Sequence, residues 1–167
     1  VGADLSEPML RLAQAKARQA GVGIAFVQAD GSTLPFRPGT FDLVTVILGL
    51  EFAAEPVKTL EEIRRILKPG ATLVVAILNR SGLWTLWRRF KRLFVPSVWR
   101  HARFLGLEEL RGHMETHGFR QLRWRGAVHF LPILTGRAAR CLERCEAFGA
   151  RWMPARATFL AMCGRRA

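Results

Sequence analysis

The pattern of apolar and polar residues predicts strands and helices in alternation. Apolar runs at 24–29, 41–48 and 72–78 have the length of strands and few polar positions, which is typical of strands covered by helices on both faces. Between the last two runs, four apolar residues recur at the spacing of one helix face: Val57, Leu60, Ile63 and Leu67. We expect this helix to stop at Pro69 and Gly70, because proline cannot continue a helix and glycine commonly ends one. Such helix-to-strand steps predict a parallel α/β sheet.

Both ends of the chain follow the same alternation. Val1 to Asp4 is expected to be the end of a strand, and Ser6 is a natural N-cap for a helix that runs to Gly21. The second half predicts a helix, a strand, a helix and a closing strand, at 107–117, 120–130, 137–148 and 157–163. A chain of 167 residues without repeats or low-complexity segments is expected to form one domain.

The segment from Leu83 to Phe94 differs from the rest. It combines a stripe of leucine and aromatic residues with four cations on the opposite side of a predicted helix: Arg88, Arg89, Lys91 and Arg92. A helix of this kind packs on a sheet edge with its basic face in water, lies in a membrane interface, or closes over a substrate. The sequence leaves these three alternatives open.

Four motifs carry a resemblance to a known family: VGADLSEPML at 1–10, ADGSTLPF at 29–36, FDLVTVILGLEF at 41–52 and LEEIRRILKPGATLVVAIL at 60–78. Together they resemble the class I S-adenosylmethionine-dependent methyltransferases, in particular the small-molecule branch. The resemblance implies a Rossmann-like, doubly wound and mostly parallel sheet with an antiparallel last strand. It also implies that residues 1–79 bind the cofactor and that residues 80–167 form the variable, substrate-binding part of the same domain.

The first strand of that family and its glycine-rich turn, GxGxG, do not occur in these residues. In the family the second strand ends with an acidic residue, which corresponds here to Asp4. The first strand is therefore expected just upstream of Val1, between the strand ending at Asp4 and the strand at 41–48. We expect this chain to be a fragment that lacks the first strand and the glycine loop.

The resemblance also implies which residues hold S-adenosylmethionine: Asp4, Leu5, Asp30, Gly31, Leu48 and Gly49. Asp4 would accept hydrogen bonds from both ribose hydroxyls. Asp30 would accept from the adenine amino group, with the Gly31 N–H near an adenine ring nitrogen. Each carboxylate also has an ordinary explanation, since one precedes a helix and the other stands in an Asp-Gly turn.

Fewer residues are candidates for chemistry on the methyl acceptor. Glu51 follows the strand at 41–48, and its open roles are a general base, a group that orients the nucleophile, or a cap for the helix near Pro56. Asp42 is more economically explained as a structural carboxylate at a strand start. Four residues lie in segments expected to approach the substrate: Trp84, Trp87, His101 and His129. The histidines have neither a nucleophile beside them nor metal-ligand spacing, so no metal site is expected, and a structural role is the more economical explanation of each.

Charge is concentrated in the second half. Residues 1–79 carry eight basic and eight acidic side chains, and residues 80–167 carry 18 basic and five acidic ones, which is the whole net charge of +13. This excess favours an anionic substrate, an anionic membrane surface or nucleic acid as a partner. Because tryptophan and arginine are interleaved after Asn79, we expect a small acceptor of lipid-like or anionic character. RNA methylation is the alternative activity, and an inactive partner or a membrane- or nucleic-acid-binding remnant is the alternative without activity.

Composition also bears on location. No run of about 18 uncharged apolar residues occurs, so no transmembrane helix is expected. Three cysteines, an odd number, favour a reducing compartment over a disulfide framework. The expected location is the cytoplasm, peripheral at the membrane if the basic half meets lipid, and the oligomeric state stays open.

Overall fold

The computed structural model describes residues 1–82, 84–86, 102–129 and 139–167, with the backbone alone for 139–145. Trp87, His101 and most of the segment from Leu83 to Phe94 lie outside the described residues. Within the described ranges, no helix combines the length and the apolar character needed to cross a bilayer.

The observed elements follow the predicted alternation. The strands are β1 (Gly2–Asp4), β2 (Phe26–Gln28), β3 (Phe41–Ile47), β4 (Leu67–Leu78), β5 (Phe119–Ala127) and β6 (Phe159–Arg166). The helices are α1 (Glu7–Gln19), α2 (Pro56–Ile66), α3 (Leu107–Thr116) and α4 (Ala139–Trp152), and a 3₁₀ turn spans Pro154–Arg156. The predicted order of helices and strands is confirmed within the described ranges, with ends that differ by a few residues.

The strands form two sheets. β1 and β2 pair in parallel, and the other four strands pair in the order β3, β4, β6, β5. β3 and β4 are parallel, whereas β6 is antiparallel to both of its neighbours, which confirms the antiparallel last strand. Among the described strands, β1 and β3 do not pair with each other, and each leaves one edge unpaired. The first strand of the family is expected between these two edges.

The junction between α2 and β4 corrects one prediction. The helix ends at Ile66, and Leu67 already has extended backbone angles, so the strand starts before the predicted stop at Pro69 and Gly70. The physical reason is that proline disfavours the helical conformation of the residue that precedes it, here Lys68. Gly70 then adopts a positive φ of 76°, which glycine accepts without a steric penalty.

The same junction accounts for Asp42. Phe41 pairs with Leu67 and Leu43 pairs with Thr72, so an irregular loop of β4 lies opposite the single residue Asp42. The Lys68 Nζ donates to both Asp42 oxygens at 2.8 Å across this irregularity. The structural explanation of Asp42 is therefore supported by a direct partner.

β4 lies at the centre of the hydrophobic core. Leu73, Val75 and Ile77 alternate along it, and all three are completely buried. The core they form includes Leu60 and Ile63 of α2 and further residues of α3, β5 and β6, among them Leu110, Met114, Phe119, Leu160 and Met162. Because burying a large aliphatic side chain contributes about 1.5–3 kcal/mol, this face fixes the position of β4 against the helices.

α2 also holds the loop that follows β2. The Leu34 N–H donates to Glu62 Oε1 at 2.9 Å, and Arg65 Nη2 donates to the Leu34 carbonyl at 3.1 Å. Glu62 and Arg65 are themselves paired at 2.6 Å. The helix that packs on β4 thus anchors the chain leaving the β1–β2 sheet.

A buried asparagine joins β4 to the start of β6. Asn79, which is 1% exposed, donates through Nδ2 to the carbonyls of Ala155 and Ala157, both at 2.8 Å. Its Oδ1 accepts from the Ser81 N–H at 3.1 Å, and its own N–H donates to the Thr158 carbonyl at 2.8 Å. One side chain therefore satisfies three backbone groups.

We predict that Asn79→Ala destabilises the protein by about 2–4 kcal/mol, since each buried group that loses its partner costs about 1–3 kcal/mol. Urea unfolding measures the loss. The control is Arg80→Ala, which removes the surface ion pair with Glu109 and should cost less than about 1 kcal/mol. Equal losses in the two variants would show that the asparagine does not hold β6.

Candidate cofactor and acceptor site

Three parallel strands of the larger sheet end at one edge, where open α/β sheets bind ligands. β3 and β4 are parallel, and β5 runs with β4 because both are antiparallel to β6. We call this side the carboxyl edge. It comprises 48–51 after β3, 78–79 after β4 and 128–129 after β5.

Asp4 ends β1 with an exposed carboxylate. Its Oδ1 accepts from the Ser6 N–H at 2.8 Å, at the start of α1. Leu5, which is largely exposed, accepts a hydrogen bond at its carbonyl from the Gln28 side chain at 3.0 Å. The carboxylate is thus oriented from within its own turn and remains accessible to a ligand.

Asp30 lies in a tight turn after β2. Its Oδ1 accepts from both the N–H and the hydroxyl of Ser32, each at 2.8 Å, and these bonds lower the pKa of the Asp30 carboxyl. Gly31 lies against the first turn of α2, where an added Cβ would stand 3.2 Å from Thr59 Cγ2. Since α2 follows the turn after β3, this contact places the Asp30 turn next to an element that leads from the carboxyl edge.

The turn after β3 contains a strained residue. Leu48 has a φ of +54°, a conformation that a residue with a side chain rarely adopts, while its N–H still pairs with the Ala76 carbonyl at 2.8 Å. Gly49 is exposed, and its carbonyl accepts from the N–H groups of Phe52 and Ala53. Backbone strain of this kind costs about 1–3 kcal/mol and is concentrated at functional sites.

Glu51 is completely buried at the carboxyl edge. Its Oε1 accepts from the Leu78 N–H at 2.6 Å, and its Oε2 has no hydrogen-bond partner among the described residues. Burial raises the pKa of the Glu51 carboxyl, opposed by the hydrogen bond from Leu78. Glu51 does not cap α2, because the N-cap of that helix is Glu55.

His129 is buried just after β5, and its ring Nδ1 lies 2.8 Å from Glu146 Oε1 on α4. Glu146 was not predicted from the sequence, and no local pattern could have found it, because the two residues are 17 positions apart on separate elements. Trp84 is half-buried in the short helical stretch 84–86. No three His, Cys, Asp or Glu side chains of the described ranges are grouped as metal ligands.

A cavity of about 290 Å³ lies away from these residues. It is lined by parts of α1 and the amino end of β2, including Gln14, Arg18, Ile24 and Phe26. None of the predicted site residues borders it. Its place at the amino end of a strand is the opposite of what a ligand site in a parallel sheet requires.

Comparison with known proteins relates this geometry to a family. A protein-family model described as a methyltransferase domain matches residues 1–75, which contain every residue predicted to hold the cofactor. This match agrees, over residues 1–75, with the predicted class I S-adenosylmethionine-dependent methyltransferase family. A demethylmenaquinone methyltransferase of Thermus thermophilus is 45% identical over 75 residues, which are 45% of this chain and 34% of that protein. An uncharacterized protein of Methanocaldococcus jannaschii is 30% identical over 124 residues, 74% of this chain and 57% of that protein.

The methyltransferase fold extends beyond the matched residues. A solved S-adenosylmethionine-dependent methyltransferase of Thermotoga maritima, described as a possible histamine N-methyltransferase, superimposes with a TM-score of 0.76 at 22% identity. The superposition covers 100% of this chain and 73% of that one, so the predicted Rossmann-like fold is confirmed for the ranges that the structure describes. The chain spans 34% and 57% of the lengths of the two curated relatives.

The buried carboxyl of Glu51 leads to a prediction about how the stability of the protein depends on pH. Because its native pKa is raised above the ordinary 4.5, the native state binds this proton more tightly than the unfolded chain does. The resulting stabilisation is complete below pH about 4.5 and is lost as pH rises through the raised native pKa. As pH rises from the unfolded pKa through the native pKa, the free energy of unfolding of the wild type should therefore fall relative to that of Glu51→Gln. Each pH unit between the two pKa values corresponds to a loss of about 1.4 kcal/mol.

Urea unfolding of both proteins between about pH 4 and about pH 8 tests this, since titrations shared by the two proteins cancel in the difference. The control is Glu55→Gln, which removes an exposed carboxylate of the same turn region and leaves the Glu51 carboxyl in place. A difference between wild type and Glu51→Gln that does not change with pH would mean that water solvates the Glu51 carboxylate.

Proposed function

We propose that the protein transfers the methyl group of S-adenosylmethionine to a small, lipid-like acceptor. The main supporting observation is that two carboxylates, Asp4 and Asp30, lie at the carboxyl ends of neighbouring parallel strands, within the residues that match the methyltransferase domain. Residues 1–79 would bind the cofactor and residues 80–167 the acceptor, within a single domain.

The residues present fit the cofactor. A ribose diol offers two donors, which one exposed carboxylate such as Asp4 can accept together. The lowered pKa of Asp30 keeps its carboxylate ionised, so it can accept from an adenine amino group while the Gly31 N–H faces a ring nitrogen. Leu5, Leu48 and Gly49 would line the cofactor, which supplies a methyl group already activated on a positively charged sulfur.

The chain itself would contribute binding, orientation and exclusion of water. A methyl group on a sulfonium transfers by in-line displacement, and holding the two reactants in line supplies much of the acceleration. This requires neither a catalytic triad nor a metal ion. The general-base role of Glu51 stays a prediction, and its bond to Leu78 supports a second role in fixing the turn after β3.

The acceptor class rests on relatives and on the surface of the second half. The relatives include demethylmenaquinone methyltransferases, which favour a quinone-type acceptor. Its reduced form is the nucleophilic one, because the ring then carries electron-donating hydroxyl groups. Such an acceptor is lipid-soluble and would be reached at a membrane. Two exposed aromatic rings on α4, Phe148 and Trp152, lie 6.3 Å apart and would suit contact with lipid.

The β5–β6 pair presents what we call the basic face: Arg120, Arg123, Arg125 and Arg165, all exposed. Arg120 lies directly opposite Arg165 in the strand register, an arrangement of like charges that destabilises a sheet. None of the four pairs with a carboxylate of the described residues. An anionic lipid surface would relieve this repulsion, and we propose that surface as the partner of the basic face.

The cofactor proposal predicts that Asp4→Asn weakens binding of S-adenosylhomocysteine more than tenfold. The asparagine keeps an oxygen for the Ser6 N–H but lacks the charge, and a hydrogen bond to a charged group contributes about 1.5–3 kcal/mol. Calorimetry measures the affinity, on a protein that includes the first strand and the glycine loop expected upstream of Val1. The control is Glu7→Gln, which removes an exposed carboxylate on α1 that pairs with Arg11. This variant should bind S-adenosylhomocysteine as the wild type does. Unchanged affinity in Asp4→Asn would remove Asp4 from the site.

The membrane proposal predicts that the triple variant Arg120→Gln, Arg123→Gln and Arg125→Gln binds phosphatidylglycerol vesicles about 100-fold more weakly at low salt, since each charge near the surface contributes about 1 kcal/mol. The loss should shrink as salt rises. The matched control removes three exposed cations of the first half: Lys16, Arg18 and Arg37. Equal losses in both variants would rule out a specific basic face. A loss of RNA binding with unchanged vesicle binding would favour RNA as the partner instead.

A further inference from the structure

A single carboxylate organises the end of β5. Glu146 on α4 accepts from the Val128 N–H at 2.7 Å and from the His129 N–H at 2.8 Å. It also lies 2.8 Å from Nδ1 of the His129 ring. His129 itself is 2% exposed, so its imidazole is held inside the protein at the carboxyl edge.

This contact decides which ring nitrogen carries the proton. Burial raises the pKa of the Glu146 carboxyl, but the hydrogen bonds from His129 and Val128 outweigh that effect and lower it. An ionised Glu146 only accepts, so the neutral imidazole places its hydrogen on Nδ1 and its lone pair on Nε2. Nε2 is buried and has no hydrogen-bond partner among the described residues.

Two locally unfavourable features, a positive φ at Val128 and a glycine inside α4, both help to place this ring. Val128 has a φ of +61°, which is a marked outlier for a β-branched residue, and its carbonyl is held by the Thr158 N–H at 2.8 Å. Gly149 lies inside α4, where glycine is among the least favourable residues for a helix. A Cβ at Gly149 would stand 2.5 Å from His129 Cβ, so only glycine leaves room for the imidazole.

We propose that His129 is a general base that takes the proton lost by the methyl acceptor, with Glu146 as its positioning residue. The inference rests on the proposed function. His129 lies just after β5 on the same edge as Glu51, and each residue has one buried atom, Nε2 or Oε2, without a hydrogen-bond partner among the described residues. They differ in what holds the other atom: Glu51 accepts from the Leu78 N–H, whereas the His129 ring faces the Glu146 carboxylate, which stabilises the imidazolium formed when Nε2 takes a proton.

The proton balance of the reaction requires such a group. A neutral acceptor that gains a methyl cation must lose one proton to give a neutral product. The acceptor hydroxyl passes its proton to His129 Nε2, and the electron pair it leaves raises the electron density of the attacking atom. That atom forms the new bond to the methyl carbon, and the pair of the breaking carbon–sulfur bond stays on sulfur. Where the attacking atom is a ring carbon, its own hydrogen then leaves as a proton and the oxygen regains one, which restores the aromatic ring. The imidazolium, stabilised by Glu146, then releases its proton to water.

A purely structural clamp is the alternative, in which the ring only ties β5 to α4. The two roles need different nitrogens, because a clamp uses Nδ1 alone and a base uses Nε2. Asparagine separates them, since its amide can donate to Glu146 from the place of Nδ1 but has no proton acceptor at the place of Nε2.

The test compares wild type with His129→Asn, using chemically reduced demethylmenaquinone as the acceptor. We expect unchanged S-adenosylhomocysteine affinity, nearly unchanged KM and unfolding, and a kcat about 100-fold lower, as for loss of a general base. Added imidazole should restore part of the activity of His129→Ala. His113→Asn, on α3 near the opposite edge of the sheet, should keep full activity. A kcat for His129→Asn equal to that of wild type would overturn the inference.

Nitrogen-15 spectra of the imidazole give a readout that needs no acceptor. Wild type should show a protonated Nδ1 and an unprotonated Nε2, and Glu146→Gln should weaken this preference. A resting protein with its hydrogen on Nε2 would overturn the inference whatever the acceptor. Failure of the wild-type protein that includes the expected first strand and glycine loop to bind S-adenosylhomocysteine would instead contradict the proposed function, so the two failures are distinguishable.

Discussion

The register of β4 is the constraint on which the rest of the structure depends. This strand pairs with β3 in parallel on one side and with β6 in an antiparallel sense on the other. Its last residue and the one that follows it then determine the carboxyl edge. The Leu78 N–H donates to the Glu51 carboxylate, and Asn79 holds the chain that enters β6. A shift of β4 by one residue would therefore displace the turn after β3 and the start of β6 together.

α2 carries this constraint to the other sheet. One face of the helix lies in the core beside β4 through Leu60 and Ile63. The Glu62–Arg65 pair binds the backbone of Leu34 from another side of the same helix. Because the Asp30 turn leads into that loop, the position of a predicted cofactor residue depends on a helix that packs on the larger sheet. An aromatic contact between Phe36 and Phe41 adds a second link, with ring centroids 5.0 Å apart.

Features that depend on a regular pattern of apolar residues along the chain could be predicted from the sequence. Features that depend on contact between two residues far apart in the chain could not. The apolar run at 41–48 and the buried alternation that ends at Leu78 are both regular along the chain, so β3 was predicted nearly to both of its ends and β4 to its carboxyl end. The expected cover of helices on both faces is wrong for β3, in which Leu43 and Ile47 are more than half exposed. The early start of β4 was missed because the apolar Leu67 fits the helical spacing of α2 as well as it fits a strand. The choice between them depends on pairing with Phe41, a contact that no local pattern contains.

The candidate site divides in the same way. Asp4 and Asp30 follow strands within recognisable motifs, so a resemblance to the family was sufficient to identify them as candidates. Glu146 stands in an ordinary amphipathic helix and became a candidate only because α4 brings it to His129. Sequence reasoning selected that histidine from its segment alone, without the carboxylate that determines its tautomer.

The distribution of strain supports the carboxyl edge as the functional side of the molecule. Three residues other than glycine have a positive φ within the described ranges: Leu48, Gln121 and Val128. Gln121 lies in the register shift of β5 between Arg120 and Arg123, so an irregular strand explains it. Leu48 and Val128 have no such explanation, and both lie directly after strands at the carboxyl edge. A completely buried carboxyl, Glu51, adds a third unfavourable feature to the same edge. Unfavourable features that cluster where ligands bind are expected when function, rather than stability, determines those positions.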